Sequence, residues 1–152
     1  MIGRELTEQF PHRHRDIGDV RFEVKGLSDE QLLNDISFDV RAGEILGVSG
    51  LMGAGRSELM HVIFGDRTMT QGEIYIDGEI AKMKSPIEAM HHGIALVTED
   101  RKSQGLLLDK SIRENITLAN FDELSNHGFI TEKMERDVAE SPSKMFNIRA
   151  QS

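Results

Sequence analysis

The sequence predicts an α/β fold, and three observations lead there. Ile45–Val48 is an apolar run without alternation, the pattern of a strand buried on both faces of a parallel sheet. The stretch Gly50-Leu51-Met52-Gly53-Ala54-Gly55-Arg56-Ser57 follows directly. After it, Leu59, Met60, Ile63 and Phe64 recur at helical spacing, and Gly65 supplies the stop. Strand, glycine loop and helix in this order are the setting of a P-loop. The spacing G-x-x-x-x-G-K-[ST] is kept, with Arg56 where the lysine belongs.

The other elements take their places around this unit. Residues 1–19 are polar, carry Pro11 and the basic run His12–Arg15, and read as a linker or arm. Val20, Phe22 and Val24 alternate with Arg21 and Glu23, and Ile36, Phe38 and Val40 alternate with Ser37 and Asp39. Each set predicts a half-buried strand. Glu73–Ile76 and Glu79–Met83 flank Asp77-Gly78, a strong hairpin signal. Ser85-Pro86-Ile87-Glu88 reads as a capping box with proline at the first helical position, opening a short helix that ends at Gly93. Ile94–Val97 predicts a further apolar strand, which delivers the loop Thr98-Glu99-Asp100-Arg101-Lys102. Ser111-Ile112-Arg113-Glu114 is a second capping box, for a helix through about Ala119. Glu132–Ala139 is helical in pattern, and Pro142 is expected to break or kink the chain after it.

Composition sets the outer limits. A chain of 152 residues suits one domain, and 38% hydrophobic with 29% charged residues describes a globular chain. No apolar run approaches the roughly 20 residues of a membrane helix, and the N-terminus has no apolar signal region. There are no cysteines, which excludes disulfides and thiolate metal sites. A net charge of −8 argues against a general nucleic-acid or anionic-membrane binder. A polyanionic ligand therefore needs a local site of oriented N–H groups.

Residues 50–57 can provide one. Glycine lets the backbone turn tightly and approach a phosphate closely, and a helix N-terminus offers unpaired N–H groups with a positive dipole end. Ser57 is placed to ligate Mg²⁺ through its hydroxyl. Arg56 keeps the positive charge, but a planar guanidinium does not replace a compact ammonium. Binding is expected to persist and hydrolysis to suffer more.

At these residues the chain resembles an ATP-binding-cassette domain. It is most similar to the second cassette of the tandem ATPase subunits that drive bacterial import of ribose, galactose and related monosaccharides. The matching segments are DISFDVRAGEILGVSGLMGAGRSEL (35–59), QGEIYIDG (71–78), GIALVTEDRKSQGL (93–106) and SIRENITL (111–118), with MIGRELTEQFP (1–11) like the linker between cassettes. The arginine in the P-loop together with TEDRK is more specific than the P-loop alone. The resemblance implies a P-loop NTPase core over 20–152, the N-terminal part of such a domain, with an antiparallel β subdomain and the start of a helical subdomain. It implies ATP and Mg²⁺ as cofactors, held by Gly50, Leu51, Met52, Gly53, Ala54, Gly55, Arg56, Ser57 and Glu99, with Ser57 and Glu99 at the metal.

It further implies a transmembrane permease subunit and a partner nucleotide-binding domain, a periplasmic sugar-binding protein acting indirectly, and a place on the cytoplasmic face of the membrane. A short helix of the permease is expected in a groove of the region 103–152. The family's signature motif, its strand ending in Asp-Glu and its switch histidine lie further along. No LSGG occurs here and no strand of four apolar residues ends in Asp-Glu, so the expectation is the first half of one cassette, with no catalytic residue of its own. Residues 26–30 lack the family's adenine-stacking aromatic, and Glu99 stands where most cassettes have glutamine. Both point to a degenerate nucleotide site whose partner cassette supports hydrolysis. A non-hydrolytic interaction module and another P-loop enzyme such as a small kinase remain the alternatives.

The remaining candidates have plainer readings. His91-His92 suits a helix C-terminus better than a metal, since adjacent helical residues point apart. His12, His14, Arg101 and Lys102 read as solvated, Asp100 and Arg101 as a surface pair, and Met60, Met134 and Met145 as core fillers. An unpaired sheet edge would favour a homo-oligomer.

Overall fold

The computed structural model describes residues 16–120, 124 and 130–148. The expected arm falls mostly outside them, as do His12 and His14. The chain forms two compact units, residues 1–96 and residues 97–152.

The described residues of the first unit form a four-stranded antiparallel sheet with two helices. Its strands are β1 (Val20–Ser28), β2 (Ile36–Arg41), β3 (Gln71–Ile76) and β4 (Glu79–Ile80), in the order β2-β1-β3-β4. Alternation in β1 and β2 sets the register: Val24 pairs with Phe38 on one side and with Ile74 on the other. The β3–β4 hairpin turns at Asp77-Gly78, both left-handed at φ 52° and 82°, as a two-residue turn of this type requires. β1 runs past its expected end at Val24 because it carries a bulge beyond that residue. Gly26 and Gly72 make the bulge possible: a methyl group on Gly72 would stand 2.7 Å from the Gly26 carbonyl and from Leu27 Cα.

Helix α1 (Arg56–Phe64) follows the glycine loop and buries Leu59, Val62 and Ile63. These meet Val24, Leu27, Leu33 and Ile74 in a single core cluster. Full burial of Leu27, Ile74, Val24 and Val62 is worth roughly 1.5–3 kcal/mol each. Gly65 ends α1 in the left-handed conformation and lies directly on the backbone of Ser85, which caps α2 (Pro86–His91). The Ser85 hydroxyl accepts the Glu88 N–H as expected, while the Glu88 carboxylate takes the N–H of Lys84 rather than that of Ser85.

Two expected strands are absent. Among the described residues neither 45–48 nor 94–97 forms a strand, and Ile45 and Val97 are 96% and 94% exposed. Both runs have the composition of strands covered on two faces, but a strand exists only as part of a ladder. Among the described residues no ladder includes them. The described sheet is therefore antiparallel throughout. Expected strand Glu79–Met83 likewise shortens to Glu79–Ile80.

The second unit is helical. Its described elements are a π-type turn at Arg101–Gly105, α3 (Ile112–Thr117) with a 3₁₀ extension over Leu118–Asn120, and α4 (Glu132–Met145). The Ser111–Glu114 capping box forms with both of its bonds. It draws the Glu114 carboxyl below its usual range, first through the Ser111 N–H. Pro142 does not break α4; the helix continues through it to Met145. Proline has a helical φ and needs only one N–H to be given up, and so close to the helix end that loss is tolerated. Met60 packs against the first unit's core and Met134 is half-buried, but Met145 is 74% exposed and fills no core.

Candidate functional site

The glycine loop is built from alternating backbone handedness. Gly53 and Gly55 are left-handed at φ 80° and 83°, whereas Met52, Ala54 and Arg56 are not among the positive-φ residues. Such alternation turns successive N–H groups toward one side and makes an anion-binding concavity. The Ala54 N–H donates to the Leu51 carbonyl (3.1 Å) and the Leu59 N–H to that of Gly55 (2.8 Å), closing the loop onto the first turn of α1. Leu51 and Met52 project outward and contribute backbone only.

Gly55 is the N-cap of α1, and no side chain caps that end. Ser85, Ser111 and Thr131 all accept from the helices they begin, so α1 differs from α2, α3 and α4 in this respect. No cap side chain therefore stands over the first turn of α1, and a helix N-terminus of that kind favours an anion. Arg56 is exposed, and its stem lies along the loop. A methyl group on Gly50 would stand 3.6 Å from Arg56 Cδ and 3.8 Å from its Nε. Ser57 is half-buried, one residue on in the same turn. These features fit a phosphate chain with a divalent cation.

Beneath the loop lies a turn that sequence reasoning missed. The Asp29 Oδ1 accepts the N–H groups of Gln31 (3.0 Å), Leu32 (2.7 Å) and Leu33 (2.7 Å). Its Oδ2 stands 2.8 Å from an Arg67 guanidinium nitrogen, out of line for a hydrogen bond, and the Asp29 side chain is 1% exposed. The Leu33 N–H, then those of Leu32 and Gln31 and the Arg67 charge, hold this carboxyl down to about 2 against the opposing effect of burial. The one local signal available was Asp29 itself, a residue that accepts from the backbone just after it.

Glu99 belongs to the second unit and is exposed, while Ser57 belongs to the first. Beside Glu99, Asp100 caps the turn Arg101–Gly105. Its Oδ1 accepts from Lys102 N–H (2.9 Å) and Ser103 N–H (3.4 Å). The Ser103 hydroxyl and these N–H groups lower its pKa. Asp100 thus serves the backbone rather than Arg101, contrary to the expected surface pair. Among the described residues no cluster of three or more His, Asp or Glu could hold a metal, and His91 and His92 sit at the C-terminal end of α2. No described helix is long and apolar enough to cross a membrane.

The second unit also carries an apolar groove of about 330 Å³, lined by Leu106–Leu108, Ile112, Ile116 and Ile148 among others. Asn115 fixes one wall. Its Oδ1 accepts the Leu107 N–H (2.8 Å) and its Nδ2 donates to the Leu107 and Ser111 carbonyls (both 3.0 Å).

Comparison with known proteins bears on all of this. The family model described as ABC transporter matches residues 33–149. Ribose import ATP-binding proteins RbsA are similar over the whole chain: 48% identical in Geobacillus kaustophilus (strain HTA426), 45% in Bacillus cereus (strain ATCC 14579) and 50% in Oceanobacillus iheyensis. The chain covers 31% of the length of each of these relatives.

Proposed function

We propose a function from a fixed premise, that this chain belongs to the ABC transporter family: it is the ATP-binding part of a motor subunit that drives import of a ribose-like monosaccharide. The observation that carries the reading is the uncapped N-terminus of α1 behind two left-handed glycines. Gly50–Ser57 take the phosphate chain through backbone N–H groups, Arg56 adds a positive charge, and the Ser57 hydroxyl takes Mg²⁺. Bound Mg-ATP supplies the phosphoanhydride whose cleavage powers transport. This chain contributes binding and orientation, and the partner nucleotide-binding domain contributes the hydrolytic groups. The sugar is inferred from the names of the relatives alone.

The test is an equilibrium titration with Mg-ATP, with Mg-GTP and Arg56→Ala beside it. Saturable binding, weakened about tenfold in the variant by loss of one charged contact, is the expected result. Binding that ignores Arg56 would remove it from the site, and equal affinity for both nucleotides would agree with the lack of an aromatic at 26–30.

The same reading places the chain at the cytoplasmic face of the membrane, with the permease subunit as its partner and the periplasmic binding protein acting through that subunit. The groove along Leu106–Leu108 and Ile116 suits an amphipathic helix laid in by its apolar face. Ile116→Glu is expected to abolish co-purification with the permease subunit; retention of the complex would move the contact elsewhere.

A further inference from the structure

We propose that Asp29 and Arg67 are a positioning pair for the phosphate loop, fixing both ends of α1 to a single turn so that the loop's N–H groups are set before a phosphate chain arrives. The proposal rests on the reading of residues 50–57 as a phosphate cradle.

The geometry begins with the two oxygens of one carboxylate. Oδ1 of Asp29 gathers three consecutive backbone N–H groups, and the Asp29 N–H itself donates to the Leu33 carbonyl (3.0 Å). The turn 29–33 is therefore closed around this side chain. Its leucines face the cap of α1. A methyl group on Gly55 would stand 3.0 Å from Leu33 Cδ2 and 3.7 Å from Leu32 Cβ. Leu33 is buried there, so the turn is the floor on which Gly55 holds its left-handed conformation.

Oδ2 points to the other end of the helix. Arg67 lies two residues beyond Gly65, the C-cap of α1. Its guanidinium meets Asp29 Oδ2 at 2.8 Å and donates to Gln31 Oε1 at 2.8 Å. A nine-residue helix is about 13 Å long. Contacts at both caps leave it little freedom to slide or tilt relative to the turn. Anion binding by backbone N–H groups depends on their being aligned beforehand, because alignment on binding has to be subtracted from affinity. Neither Asp29 nor Arg67 is part of the loop itself, so their effect on a ligand is transmitted through Leu33 and Gly55.

The experiment uses the full chain with Asp29→Asn, Arg67→Gln and Arg67→Lys. Ala81→Gly, buried just beyond β4 and outside the core cluster that holds Leu33, serves as a control of reduced stability. Each protein is titrated with Mg-ATP and separately with inorganic tripolyphosphate, and the amide resonances of Gly53 and Gly55 are recorded without ligand. Asp29→Asn and Arg67→Gln are expected to weaken both ligands about tenfold and to shift the two glycine resonances, while Arg67→Lys restores most of the affinity. Ala81→Gly should lose stability without losing affinity. Wild-type affinity in Asp29→Asn and Arg67→Gln would overturn the pair. If the wild type binds neither ligand, the cradle reading fails, and the ligand-free spectra still decide: unmoved Gly53 and Gly55 resonances in folded Arg67→Gln would overturn the positioning role.

Discussion

Helix α1 and the short turn Arg101–Gly105 both begin with backbone N–H groups that no carbonyl of their own turn accepts, and they satisfy them in different ways. At Arg101–Gly105 the preceding residue is Asp100, whose carboxylate accepts from Lys102 and Ser103. At α1 the preceding residue is Gly55, which has nothing to offer. A turn that carries its own anion has no place for another. A turn preceded by glycine is open to one, and the dipole of a nine-residue helix stands behind it. The two loops look alike in the sequence, since both come after apolar runs and both include a basic residue. What distinguishes an open turn from a self-contained one is the side chain at a single cap position.

The contrast can be broken most directly by giving α1 the cap of the other turn. Gly55→Asp places a carboxylate where the proposed phosphate chain would enter, and aspartate tolerates the left-handed conformation better than most residues. Mg-ATP affinity is expected to fall roughly a hundredfold by calorimetric titration, from like-charge repulsion and from occupied N–H groups. Unchanged affinity would mean that the first turn of α1 is not where phosphate binds.

A smaller effect is expected from pH. Asp29 has a folded pKa of about 2, below its ordinary 3.8. Its contribution to stability is therefore complete above the unfolded value and is lost as pH falls from about 4 through about 2. Urea denaturation across that range should show the slope in the wild type and a shallower one in Asp29→Asn. Parallel slopes would show that the carboxylate is not bonded as described.

The smallest effect is reserved for the second turn. Asp100→Ala should speed amide exchange at Lys102 and Ser103 and leave Mg-ATP affinity within about twofold of wild type, the spread of a substitution without ligand contact. A larger loss would bring the turn into the nucleotide site and erase the distinction drawn between the two.

Much of the fold is legible in the sequence, and the legible parts share a cause. Ser85, Ser111 and the Asp77-Gly78 turn are decided within four residues, by groups that reach only their own neighbours. The loop at 50–57 and its helix are local in the same sense. Ile45–Val48 and Ile94–Val97 are not, because a strand is defined by a partner that no local pattern supplies. Val62 escapes sequence reasoning as a core residue because only the packing of α1 against β1 and β3 shows which stripe faces inward. Asp29 escapes it for a related reason: its local turn is ordinary, and its importance comes from Arg67 and Gly55, which are distant in sequence.

The pair of glycines at the β1 bulge bears on the order in which the molecule assembles. Gly26 and Gly72 touch through their backbones, and the Thr70 N–H and hydroxyl both donate to the Ser28 carbonyl just before the turn that carries Asp29. That junction closes a long stretch of chain containing the whole glycine loop and α1. Long closures are entropically slow, and local helices form far sooner. The helix and the turn 29–33 are both local and can each form early, but the helix cannot settle on that floor until the intervening stretch has closed. On the reading of residues 50–57 as a phosphate cradle, a docked cradle is expected late in folding, together with the pairing of β3 beside β1.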